Sequence, residues 1–156
     1  MSQQTVTPIV SQLQDRWQRF TILKVGTGAS SYFTVNGGTA IPAENDQSQD
    51  IALCSVPSFS IIEDAIAKTA LVFSAVTTAI LEGIESAVGE DVDFGDYNLK
   101  TAVADTNIVR CTSRALLTSA TKNLVARITV TVETMRDIAD GCSVDIWLDI
   151  SRLVGA

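Results

Sequence analysis

The stretch LVARITVTVE, residues 124–133, alternates without a fault. Leu124, Ala126, Ile128, Val130 and Val132 fall on one side of an extended chain, and Val125, Arg127, Thr129, Thr131 and Glu133 on the other. A period of two is the mark of a strand with one face on a core and one toward solvent. CSVDIWLDIS, residues 142–151, repeats the pattern, with Val144, Ile146, Leu148 and Ile150 on one face and Ser143, Asp145, Trp147 and Asp149 on the other. Two such segments joined through MRDIADG predict an antiparallel hairpin. Centred on Ile138, it sets Val130 opposite Ile146 and Arg127 opposite Asp149, the second an ion pair on the outer face.

Further strands are expected upstream. FTILKV favours extended chain, GTGASS breaks it, and YFTVNGGTAI predicts a hairpin, because Asn36-Gly37 suits the positive φ angles of a type I′ turn. Pro42 ends its second arm. ENDQSQD, Glu44 to Asp50, is expected to be a polar loop, and IALCSV a buried strand closed by Pro57. NIVRCTSRALL is strand-like, and NLKTAV adds a candidate.

Two segments predict helix. PIVSQLQDRWQRF spaces Ile9, Val10, Leu13, Trp17 and Phe20 at roughly helical intervals after Pro8, which a helix start tolerates. The longer one begins near residue 58 and ends near 88. Ser60 and Glu63 have capping-box spacing, and Glu63 and Asp64 suit a helix N-terminus. A stripe then runs through Ile62, Ile66, Ala70, Phe73, Val76 or Thr77, Ile80, Ile84 and Val88, widened by Ile61, Ala65, Thr69 and Leu81. Gly83 weakens this helix and Gly89 stops it. The expected fold is therefore α+β: a mainly antiparallel sheet with one long amphipathic helix, about 58–88, packed on one face. Residues 1–8 are expected to form a flexible arm and 9–156 one domain.

Composition narrows the chemistry. The chain has no histidine among 156 residues, which removes Ser-His and Cys-His nucleophiles and the commonest zinc ligand. Cys54, Cys111 and Cys142 are far apart and odd in number, as expected of small buried hydrophobes under reducing conditions. The net charge of −7 and pI near 4.4 make a nucleic-acid partner unexpected except through a local basic face. MSQQTVTPIV has no basic n-region or apolar core, so no signal peptide is expected. TALVFSAVTTAIL is too short to span a bilayer, so no membrane partner is expected and synthesis is placed in the cytoplasm.

Motifs start and fail. DVDFGDYNLKTA opens like a calcium loop at Asp91 and Asp93, then sets Gly95 at a ligand position and Ala102 where a bidentate glutamate belongs. GTGASS lacks the lysine and third glycine of phosphate loops. Ser119 and Lys122 have S-x-x-K spacing in SATK, a match close to chance in a chain so rich in serine and threonine. No catalytic, cofactor or metal residues are assigned. Charge is uneven instead: six acids and no base between Glu82 and Asp96, then five bases against Asp105 alone from Lys100 to Arg127. The candidate interface residues are Glu90, Asp91, Asp93, Asp96, Arg110, Arg114, Arg127 and Trp147, an acidic edge meeting a basic face on the next copy. Trp147 joins them as a tryptophan on a polar face between Asp145 and Asp149. The expected function is a non-catalytic, self-assembling structural protein of a virion or bacteriophage, partnered by its own copies and possibly other structural proteins. The alternatives are a protein-binding accessory module and a small carboxylate- or metal-dependent enzyme.

Overall fold

The computed structural model describes residues 17–56, 60–85, 92–100, 108–110, 115–117 and 122–152. Among the described residues eleven strands follow one another: β1 (Trp17–Val25), β2 (Tyr32–Val35), β3 (Ile41–Pro42), β4 (Ser48–Val56), β5 (Ser60–Leu71), β6 (Ala79–Glu85), β7 (Val92–Asn98), β8 (Ile108–Arg110), β9 (Ala115–Leu117), β10 (Lys122–Val130) and β11 (Ser143–Arg152). They form a seven-stranded sheet, β3-β2-β1-β11-β5-β8 with β9 also on β5, and a four-stranded sheet, β4-β10-β6-β7. Every pairing described is antiparallel. One core lies between the sheets. Phe20, Ile22, Ile62, Val144, Ile146 and Leu148 enter it from the larger sheet, and Ile51, Leu81, Ile84, Leu124, Ile128 and Val130 from the smaller. Each such side chain taken fully from water is worth about 1.5–3 kcal/mol, as an upper bound.

The long helix over 58–88 is not present. Ser60–Leu71 is the strand β5, residues 72–78 form a turn, and Ala79–Glu85 is the strand β6. Among the described residues the only helical element is a 3-10 turn at Met135–Asp137. The buried positions of β5 are Ser60, Ile62, Ala65, Ala67 and Thr69. That is a period of two broken once, where the pairing with β11 skips Glu63 between Ile62 and Asp64. One inserted residue converts two alternating runs into spacings that imitate 3.6. Strand β5 also lies inside its sheet, and Ile61 and Ile66 are half-buried on its other face, so neither face is plainly polar. The stop at Gly89 and the stripe's last residue, Val88, lie outside the described residues. The short helix is corrected over its last residues: Trp17–Val25 is strand β1, with Phe20 and Ile22 in the core, and residues 9–16 lie outside the described part.

The C-terminal segments are strands with the expected inner faces, but they do not pair with each other. Leu124, Ala126, Ile128 and Val130 are buried, as are Val144, Ile146 and Leu148. Strand β10 sits between β4 and β6, and β11 between β1 and β5. Residues 131–142 therefore carry the chain from one sheet to the other. Ile146 lies opposite Phe20 and Ala67 rather than Val130, and Asp149 opposite Trp17 and Asp64 rather than Arg127. Alternation fixes which face is apolar and leaves the neighbour open.

Other local readings hold or shift by a few residues. Asn36 and Gly37 have φ of 54° and 70°, and Gly38 N–H donates to Val35 O at 3.0 Å, closing the turn that pairs β2 with β3. The Asn36 side chain adds a splice onto β1, accepting from Thr21 N–H at 2.7 Å and donating to Arg19 O at 3.0 Å. Strand β4 starts at Ser48, inside the stretch expected to be loop. Gln49 there is buried and its side chain bonds Pro42 O and Glu44 N–H. Tyr97 of β7 crosses the core to β5, its hydroxyl accepting from Thr69 N–H at 3.1 Å and lying 3.1 Å from Thr69 Oγ1.

Candidate functional site

The turns that follow β1, β5 and β10, the segments that precede β2 and β4, and the end of β7 gather at one end of the sandwich. The sequence puts there a lysine that reasoning from motifs passed over. Lys24 continues the inward series Phe20, Ile22 on β1, so an ammonium enters the core face, with 0% of the residue exposed. Its Nζ donates to Ile138 O at 2.6 Å and to Gly26 O and Arg136 O at 3.2 Å, and it lies 5.8 Å from the Phe33 ring centroid. Burial lowers its pKa from the ordinary 10.5, and Cys142, Asp137 and Asp140 offset part of that shift. One side chain thus holds the 26–31 turn against the 135–141 segment. Gly28 N–H to Arg136 O at 3.0 Å and Gly26 N–H to Asp140 Oδ1 at 2.8 Å reinforce it.

The neighbouring turns are tied in the same way. Arg136 Nε donates to Ala43 O at 3.1 Å, Met135 N–H to Asp46 O at 2.9 Å, and the Gln47 side chain to Thr131 O. Phe73 N–H donates to Leu99 O at 3.1 Å, and Lys100 Nζ to Val76 O at 2.8 Å. Ala75 holds a left-handed φ of 64° in this turn. Glu133 closes the set, accepting from Thr77 N–H at 2.9 Å and from Thr77 Oγ1 at 2.7 Å. Those two bonds hold its carboxyl below the usual 4.5, with Lys100 adding to the shift. A carboxylate whose folded pKa is depressed contributes stability above its ordinary value and loses it as pH falls through the lowered one. The melting temperature of the protein is therefore expected to exceed that of Glu133→Gln at pH 6. The gap should close as pH is taken below 4.5 in a thermal-melt series; a gap constant from pH 6 to 3 would contradict the clamp.

Two large apolar side chains stand exposed at this fixed end: Leu71 at 52% and Val132 at 69%. A groove of about 280 Å³ is lined by Thr77, Thr78, Ile80, Asp96, Asn98 and Lys100.

The residues singled out from sequence are dispersed. Glu90, Asp91 and Arg114 lie outside the described residues. Asp93 lies on β7 in register with Gly83, and Arg110 on β8 in register with Ile66. Asp96 is exposed in the groove, with a left-handed φ of 58°. Arg127 bonds Asp50 across β10 and β4, at 2.8 Å from Nε and 3.2 Å from Nη2. Trp147 is half-buried beneath Arg19, whose guanidinium is 5.6 Å from the ring centroid and bonds Asp145 at 3.1 Å. Asp145 is only 7% exposed and also accepts from Thr21 Oγ1 at 2.6 Å. The tryptophan's polar surroundings are thus satisfied from β1, its sheet neighbour. Cys54 is half-buried and Cys142 buried, both free thiols, and burial raises the pKa of Cys54. No group of three or more metal-ligating side chains occurs among the described residues, and none of their helices is long and apolar enough to cross a membrane.

No family model matches this chain, and no curated protein does. Solved structures do resemble it, two of them as follows. "Capsid of Ralstonia phage GP4" contains a chain of 13% identity and TM-score 0.48, over 89% of this chain and 84% of that one. "Acidic stable capsid structure of Helicobacter pylori bacteriophage KHP30" contains one of 13% identity and TM-score 0.40, over 86% of this chain and 90% of that one.

Proposed function

We propose that the chain is a non-enzymatic structural protein of a bacteriophage particle that assembles through copies of itself. The observation that carries this reading is the tied end of the sandwich. Lys24, Arg136, Lys100 and Glu133 spend their polar groups on the backbone of neighbouring turns, which stiffens the surface that displays Leu71 and Val132. Apolar side chains on a surface ordered in advance associate at a small entropic cost. The absence of histidine points the same way, since it leaves few routes to acid–base chemistry. The acidic stretch with Glu90, Asp91, Asp93 and Asp96 and the basic positions Arg110 and Arg114 supply complementary charge for contacts between copies.

Light scattering on the purified protein tests the proposal. Association that strengthens with concentration is expected, and Arg110→Glu with Arg114→Glu should weaken it. A clean monomer at high concentration across salt conditions would reject self-assembly and favour an accessory module that works with another protein.

A further inference from the structure

The sheet order leaves β4 at an edge, and among the described residues no strand pairs with its outer side. Open edges invite another strand, and folded chains usually block them by shortness, proline, charge or irregular backbone. The other edges here carry such blocks. Strand β3 is two residues long and ends in Pro42, and β8 and β9 have three residues each. Strand β7 breaks register between its partners Leu81 and Gly83 and holds Asp96 at a left-handed φ of 58°. Strand β4 runs for nine residues, and from Ile51 to Val56 it carries neither proline nor charge.

Its single bulge makes the strand complementary to itself. The pairing with β10 skips Leu53, between Ala52 and Cys54. Alternation reverses across that point, so Ile51 and Val56 both face the core while Ala52 and Ser55 are both exposed. A second β4 run antiparallel, with the two-fold between Leu53 and Cys54, sets Ile51 opposite Val56 and Ala52 opposite Ser55. Inner residues meet inner ones, outer meet outer, and no charge meets its like. Asp50 falls outside this segment and is already held by Arg127.

We infer that the outer edge of β4 takes the β4 of a second copy, joining two four-stranded sheets into one across a two-fold axis. This rests on the self-assembly reading and names the contact. It makes an isologous pair, in which each copy gives and receives the same backbone hydrogen bonds.

A charge swap tests it. Ala52→Lys with Ser55→Lys, and separately Ala52→Glu with Ser55→Glu, place like charges opposite each other in the pair. Both positions are exposed, and the exchange gives up one exposed bond, Ser55 Oγ to Asn123 Oδ1 at 2.7 Å. Circular dichroism and melting curves check that each variant is folded. Thr39→Lys with Ala40→Lys, in an exposed turn, controls for added charge. In sedimentation equilibrium each swapped variant is expected to associate about tenfold or more weakly than wild type, the control like wild type, and an equimolar lysine–glutamate mixture to recover. Wild-type association in the swapped variants, or a mixture no better than its components, would overturn the edge contact while leaving self-assembly intact. A wild-type protein that stays monomeric removes both.

Discussion

Lys24→Met is expected to destabilise the protein by about 2–4 kcal/mol in urea or thermal unfolding. The methionine fills most of the lysine's volume but gives nothing to the oxygens of Gly26, Arg136 and Ile138. A buried acceptor left without its donor costs about 1–3 kcal/mol. Arg136 O keeps Gly28 N–H, so its loss is the smaller one. Against this stands the relief of no longer burying an ammonium, which is why the sum of three losses is not expected in full. The pH dependence separates the terms. With the folded pKa lowered from 10.5, the unfolded chain holds the proton more tightly. Wild-type stability therefore rises with pH between the lowered value and 10.5 relative to Lys24→Met, so the gap between them should widen upward through that window. A variant as stable as wild type would show that Lys24 does not hold the turns, and a gap that narrows through that window would show that burial does not lower its folded pKa.

Ile62→Ala and Ile66→Ala should differ sharply. Ile62 is fully buried between the sheets, and truncating it is expected to cost about 2–5 kcal/mol through lost transfer energy and the cavity left behind. Ile66 is half-buried on the other face of β5, opposite Trp147 and Arg110, and its truncation should cost about 1 kcal/mol. A helix over 60–85 would set both residues in one buried stripe with similar costs. Equal losses in paired denaturant titrations would contradict the strand assignment.

What the sequence disclosed depended on which physical question it was asked. Facing was legible wherever alternation was clean: residues 124–130 and 144–148 point as their pattern requires. Partnership was not, because Val130 and Ile146 satisfy a core equally well from opposite sheets. Segment 60–85 was misread because the skipped Glu63 and a sheet covered on both sides erased the period of two. The Asn36-Gly37 turn was legible because few dipeptides suit its backbone. Lys24 carried a signal that motif reading does not use: the inward series Phe20, Ile22 puts the next side chain in the core whatever its charge. Of the proposed interface, Arg127 and Trp147 could be placed only once β4 and β1 were known to lie beside β10 and β11.

The position of β11 also sets an order of events. Arg19 and Asp145, which meet on neighbouring strands, are 126 residues apart in the chain. Until β11 arrives, β1 and β5 each lack their shared neighbour, and the larger sheet exists only as separate pieces. Contacts this distant in sequence slow folding, since the chain must close a long loop before any bond repays it. On the ribosome, β1 and its partner β2 emerge before β11 and wait for it. During that interval the flanks of β1 and β5 stand open, and the nascent chain is at its most exposed to pairing with the wrong molecule.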